Sequence, residues 1–480
     1  MNTKHPIIAP LLALTALLAL APLAGFTLHG DVFWDLATGR WEWTHHAVLR
    51  WNPFSWGDHA PWVNNEWGWG LILYTASRFG PWGLLSVAGL GIVGWWTGLR
   101  AVMRRLALPS TAQLGILILS LPFVWPGWSD RPQIWAYAFA VWGWVVLWDW
   151  ADPRHVWTWR DGIALLGWIL WVQIHGSWIL IPVWAVILST RPGVARRRLW
   201  GAAIGALGLA AVDNPWGWAY VQKALFTSSS STIASAIVEW LPPSFHQVFG
   251  VWLPWMILLS ILTWGMATRP LSIRVEGWRW MMLAGLVGAA LYAVRFEPYL
   301  PLALALGWPA PSIRFPAIKP PRWVAPALWG IVGMGILLIG IRIAPLRTAS
   351  LTAPPFVAAN VELNPSAEPV AAVVWLQHHP AQARRVFNNY RIGGYLTWMG
   401  IPDWIDGRTG FWIQTSHRFT AYATVIDDHT SPRPVIAAAH PTAILAPTTS
   451  PWIWGITGWQ GWHVAWHQQG WTILVSSTGG

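Results

Sequence analysis

From residue 6 to residue 343 the chain alternates long apolar runs with short polar connectors, and beyond residue 343 the alternation stops. A helix that crosses a bilayer needs ~20 apolar residues, with ~17–25 typical. Runs at 6–28, 82–103, 107–126, 132–149, 248–267, 278–294 and 324–343 have that length or approach it. Shorter runs at 162–174, 177–190, 200–212 and 299–312 complete a set of about eleven crossings. Residues 67–79 are apolar but short, and read as a broken or re-entrant helix ended by Gly80-Pro81. The first run is longer than the ~7–15 residues of a signal-peptide core, so it reads as an uncleaved first helix.

The connectors set the orientation. Arg100, Arg104 and Arg105, then Arg154 and Arg160, then Arg191 and Arg196 to Arg198 fall on alternate connectors. So do Arg269, Arg274 and Arg279, and later Arg314, Lys319 and Arg322. An excess of Lys and Arg marks the inner side. Lys4 puts the N-terminus inside, and an odd number of crossings puts the C-terminal part outside. The acids then sort by side: Asp31, Asp35, Glu42, Asp58, Glu66, Asp130, Asp213, Glu239 and Glu297 fall outside. Asp149, Asp152, Asp161 and Glu276 fall inside among the arginines. Acids hardly influence orientation themselves, so this sorting is partly independent support for an acidic outward cleft. The competing reading of any one of these acids is a solvated loop residue.

After residue 343 the character changes. Residues 344–369 are rich in Pro, Ala and Thr and read as a linker. Residues 370–480 read as a small soluble α/β domain. Val370 to His378 suits a helix, and Arg385 to Asn388 a strand. Gly393-Gly394 suits a turn, Trp404 to Arg408 a strand ending in a turn, and Ala443 to Leu445 and Trp471 to Val475 later strands. The expected architecture is mainly α: a polytopic helix bundle, 1–343, whose first outer loop is 29–67, followed by the extracytoplasmic domain.

Composition agrees. Hydrophobic residues make up 55% of the 480, and 10% are charged, against roughly 25% charged in soluble domains. Mean hydropathy is +0.41. The 46 tryptophans fit interface belts, with sugar stacking as the functional alternative. The net charge of +11 lies in short inner connectors rather than in a stripe, which argues against a nucleic-acid partner. With no cysteine, disulfides, thiolate catalysis and cysteine metal sites are excluded. No Walker loop, dinucleotide fingerprint or G-x-S-x-G is present. His45, His46, His59 and His175 lack H-E-x-x-H spacing, and His175 at a helix break fits packing or substrate contact.

The first outer loop holds the sharpest chemistry. A carboxylate is costly beside hydrocarbon, so Asp31, Asp35 and Glu66 near a membrane exit mark a candidate site. Asp31 can serve as a general base toward an acceptor hydroxyl or amine. Its competing role is the cap of a helix over residues 32–46. Asp31 and Asp35, four apart, share a helical face and could hold Mg²⁺ or Mn²⁺; no motif names a required cofactor. Arg40, Arg131 and Arg295 are outward cations suited to a lipid phosphate, or to phospholipid headgroups.

Several motifs together resemble a bacterial multi-pass family grouped loosely with GT-C-type glycosyltransferases of the protein-mannosyltransferase and arabinosyltransferase kind. They are Asp31-Val-Phe-Trp-Asp-Leu-Ala-Thr-Gly-Arg-Trp, Asn52-Pro53-Phe54-Ser55 and Pro61-Trp62-Val63-Asn64-Asn65-Glu66-Trp67. Arg131-Pro132-Gln133, Gln173-Ile174-His175-Gly176, Asn214-Pro215-Trp216-Gly217 and Glu239-Trp240 also match. In the tail so do Phe387-Asn388-Asn389-Tyr390, Gly393-Gly394-Tyr395-Leu396 and Asp406-Gly407-Arg408. The resemblance implies a polyprenyl-phosphate sugar donor and a glycan, lipid or protein acceptor. It implies Asp31 as base, assisted by Asp35 or Glu66, with Arg40, Arg131, His175, Glu239 and Arg295 contacting substrate. The chain departs from the pattern at His29, Asp35, Asn52 and Asn65, which stand where an acid, a His, an Asp and a His are usual. A metal-binding D-x-D is thereby weakened, and Asp35 either compensates or marks an inactive copy. The rival function is a non-catalytic protein that binds lipid-linked glycans or scaffolds envelope assembly. A transporter is disfavoured because the acids lie at span ends.

Overall fold

A computed structural model describes residues 7–25, 30–127, 131–226, 238–243, 253–267, 276–308, 321–343, 368–416, 418–427 and 431–477. His29, Asp130, Arg269, Arg274, Arg314, Lys319 and positions 344–367 of the expected linker lie outside the described residues. In chain order the first helices are α1 (Ile8–Leu20), α2 (Gly30–His45), α3 (Trp67–Ser77), α4 (Pro81–Arg105) and α5 (Ser110–Val124). They continue as α6 (Gln133–Ala151), α7 (Trp159–Ile174), α8 (Leu180–Ser189), α9 (Arg196–Val212) and α10 (Trp218–Phe226). Contacts divide the chain into two compact units. The first is Met1–Phe26, Leu85–Ser228 and Ile237–Pro345; the second is Thr27–Leu84, Ser229–Ala236 and Leu346–Gly480. The stretch 29–67, expected as a loop of the helical domain, thus groups by contacts with the tail.

The first unit is helical. Among the described residues, Trp82–Arg105, Ser110–Gly127 and Val324–Ile341 are long and apolar enough to cross a membrane. Ile8–Ala24 and Gly176–Ser189 are shorter apolar helices. Small residues let α4 and α6 approach closely. A Cβ added at Gly98 would stand 2.5 Å from Val141. Across the same seam the indoles of Trp135 and Trp142 donate to the carbonyls of Val87 and Gly94, each at 2.9 Å. Some of the abundant tryptophan therefore ties helices together, which belts alone did not anticipate. Arg105 grips Asp149 with two hydrogen bonds, 3.0 and 2.7 Å, joining the ends of these helices. Asp161 starts α7 in a capping box with Thr158. The acids expected on the inner side are thus engaged locally.

The second unit contains a four-stranded sheet of β1 (Val386–Asn388), β2 (Ala443–Pro447), β3 (Trp462–Gln468) and β4 (Trp471–Ser476), in the order β1-β2-β4-β3. β1 and β2 are parallel; the other pairs are antiparallel. The helix Val370–His378 has the bounds its sequence pattern predicts. Strand β3 was not anticipated. Two tail expectations are corrected. Gly393-Gly394 opens a short helix, Gly393–Trp398, rather than a turn. Trp404 to Arg408 is a buried loop rather than a strand. The Asn388 side chain holds that loop, accepting from Trp404 N at 2.8 Å and donating to Ile405 O at 2.7 Å. One core joins Trp34, Leu49 and Trp62 to Phe387, Trp404, Trp412, Ile444 and Leu474.

Candidate active site

Helix α2 organises the acids of the second unit. Asp31 lies in its first turn, inside the helix rather than capping it. The helix dipole favours a carboxylate there. Val32 and Phe33 are fully buried, and Phe33 meets Tyr395 edge-on at 5.0 Å. Asp31 itself is half-buried, whereas Asp35, one turn on, is only 1% exposed. Glu66 immediately precedes α3, and its side chain accepts from Asn65 at 3.2 Å.

The register of α2 and α3 relates these acids. A Cβ added at Gly39 would stand 2.0 Å from Gly70 O, and one at Gly70 would stand 2.8 Å from Asp35 O. Further along, Trp43 meets Tyr74 at 6.3 Å, and Arg78 lies 5.1 Å from the Trp43 ring. The two helices therefore run in the same sense. Glu66, at the start of α3, therefore lies toward the end of α2 that carries Asp31 and Asp35.

The tail closes on that same end. Cβ atoms added at Gly30 and Gly394 would stand 2.4 Å from Arg391 O and Gly30 O, respectively. One added at Gly407 would stand 2.0 Å from Asp31 Oδ1. Both glycine motifs of the tail thus allow backbone to approach the first turn of α2. Beside Gly407, Asp406 and Arg408 form a buried ion pair at 2.6 Å. Asp403, fully buried, accepts from Ser55 at 2.5 Å. Burial, reinforced by the neighbouring Asp406 charge, pushes the Asp403 carboxyl well above the usual carboxylate range. Arg40 is held by the tail: it donates to Trp398 O at 2.8 Å and lies 4.4 Å from the Trp398 ring.

The remaining candidates lie in the first unit. Arg131 pairs with Glu239. Arg295 lies over Trp240 at 4.2 Å. Arg131, Glu239 and Arg295 all act electrostatically on Tyr137, and Arg295 acts on His175. The ion pair and the ring contact make Arg131, Glu239 and Arg295 neighbours. His175 Nδ1 accepts from Ser177 N at 3.1 Å, which assigns the ring proton of the neutral imidazole to Nε2. Gln173 donates to Asp213 at 2.7 Å and accepts from Asn214 at 3.2 Å. These two matched motifs hold one another.

Among the described residues, no group of three or more His, Cys, Asp or Glu is arranged to hold a metal ion. Sequence reasoning named Glu42 only among the outward acids and Gly407 only within a matched motif, and it missed Asp403. The Asp-Gly-Arg and double-glycine motifs were the available signals, but they were read as turns.

No protein-family model and no curated protein matches the chain. Solved structures do. ArnT from Cupriavidus metallidurans, bound to undecaprenyl phosphate, aligns with a TM-score of 0.53 at 13% identity, over 98% of this chain and 99% of that one. The archaeal oligosaccharyltransferase AglB from Archaeoglobus fulgidus, with an inhibitory peptide and a dolichol-phosphate, aligns with a TM-score of 0.55 at 10% identity, over 91% and 69%. The apo oligosaccharyltransferase from the same organism gives 0.53, at 10% identity over the same shares. The chain has a GT-C-like fold. At these identities the likeness is one of fold.

Proposed function

We propose that the chain is a multi-pass plasma-membrane glycosyltransferase. It moves a sugar from a polyprenyl-phosphate donor to an acceptor at the outer face of the membrane, where the tail domain also lies. The observation that carries this reading is the enclosure of the Asp31 end of α2 by the tail's glycine motifs. A fold shared with ArnT bound to undecaprenyl phosphate and AglB with a dolichol-phosphate supports the donor class.

In this mechanism the acceptor oxygen or nitrogen attacks the anomeric carbon, whose bond to the phosphate oxygen breaks. The electron pair leaves with the lipid phosphate, and the acceptor proton passes to Asp31. The anomeric centre inverts. Such proton transfer contributes typically ~10²–10⁴-fold. Asp35 and Glu66, both toward the same end of α2, bias the local field. Charge builds on the departing phosphate, and cations stabilise it.

The test is purified full-length chain in lipid nanodiscs with polyprenyl-phosphate hexoses and pentoses and a crude envelope-glycan acceptor. Release of polyprenyl phosphate that depends on acceptor is the expected result. Tight donor binding without release for every sugar would favour the non-catalytic, lipid-linked-glycan-binding alternative.

A further inference from the structure

Asp406 and Arg408 are buried charges on either side of a glycine, and their burial needs a reason. A buried ion pair is weak support for stability, because desolvation offsets its attraction. This pair is tightly built. Arg408 Nε lies 3.0 and 2.7 Å from the two Asp406 oxygens, and Trp412 Nε1 donates to Asp406 at 2.9 Å. The guanidinium lies 4.8 Å from the Trp62 ring and 5.2 to 5.7 Å from those of Phe411, Phe54 and Trp412. Gly407 O accepts from Tyr390 OH at 3.1 Å and from Thr409 N at 2.8 Å. The peptide at Gly407 is thus held on both sides.

The turn of α2 that carries Asp31 is also crowded on another side, at Gly30. The Gly30–Gly394 and Gly30–Arg391 approaches leave no room for the first turn of α2 to retreat. Between these two fixed backbones lies the Asp31 carboxylate. A single added carbon at Gly407 would overlap Asp31 Oδ1 at 2.0 Å and touch Trp34 Nε1 at 3.4 Å. Gly407 is not in the left-handed region of φ, so its backbone conformation does not explain why it is glycine.

We infer that Gly407 is a positioning residue that sets where the Asp31 carboxylate sits, and that the Asp406–Arg408 pair holds Gly407 in place. The inference rests on the reading of Asp31 as the base. Gly407→Ala forces the carboxylate aside without removing a charge or hydrogen-bonding side chain.

The experiment uses the full chain and four variants: Gly407→Ala, Asp31→Ala, the double variant, and Gly410→Ala as control, where an added Cβ meets nothing within 4 Å. Thermal unfolding reads the contact, and transfer kinetics read its consequence. Gly407→Ala should lower the unfolding temperature in the Asp31 background at least twice as much as in the Asp31→Ala background. It should lower kcat at least tenfold with donor KM within threefold, while Gly410→Ala changes neither. Equal temperature losses in the two backgrounds would overturn the contact. A kcat within threefold of wild type would overturn the positioning role. Thermal coupling without transfer by the wild-type chain would support the contact and overturn the glycosyltransferase reading instead.

Discussion

Asp31, Asp35, Thr38 and Glu42 recur at steps of four, three and four residues, so they form one stripe along α2. The stripe becomes more enclosed past its first member, with Asp35, Thr38 and Glu42 all buried. Leu49 N donates to one Glu42 oxygen at 3.2 Å, yet burial pushes its carboxyl up to about 8. Burial likewise pushes Glu368 up to about 8. Both acids therefore keep their proton in the folded chain over a range where the unfolded chain, near the ordinary 4.5, has lost it. The folded state binds more protons there, so stability falls as pH rises from about 4.5 to about 8. For Glu42 the loss is of order 2–5 kcal/mol, from roughly 1.4 kcal/mol per pH unit. Glu42→Gln should raise the unfolding temperature at pH 8 relative to wild type and leave it nearly unchanged at pH 5. The acids themselves were legible in the sequence as outward groups near a membrane exit. The enclosure of Asp35 and Glu42 was not, because it depends on packing partners distant along the chain.

Helices α2 and α3 cross where Gly39 faces Gly70. Gly39→Ala should lower stability by about 1–3 kcal/mol through overpacking. Gly201→Ala, in α9 with open space around it, should not. Circular dichroism melts of the two variants provide the comparison. The Arg408 cage gives a second prediction. Arg408→Lys keeps the charge but loses the planar fork that meets both Asp406 oxygens and faces four rings. It should cost about 3 kcal/mol or more, close to the cost of breaking a buried pair. A denaturant midpoint within error of wild type would contradict this. Elements with local signals were readable: the helix Val370–His378 and strands β1, β2 and β4. The segment Trp404 to Arg408 misled because its apolar pattern imitates a strand. The hydrogen bonds at Trp404 N and Ile405 O go instead to the side chain of Asn388.

At the scale of the whole molecule, the second unit draws on residues from both ends of the chain. The composition shift after residue 343 was visible in the sequence. The return of 27–84 to the tail was not, since tryptophan-rich loops read as membrane interface. Because Trp34, Leu49 and Trp62 complete the tail core, residues 368–480 alone should lack a cooperative unfolding transition. Differential scanning calorimetry of that fragment against the full chain checks this. The most direct test of the central claim is single-turnover transfer by full-length wild type and Asp31→Asn, each preloaded with a polyprenyl-phosphate sugar it binds. Sugar should reach the acceptor with wild type, and the rate should fall by about 10²-fold or more with Asp31→Asn at equal donor occupancy. Equal transfer rates for the two proteins would contradict it.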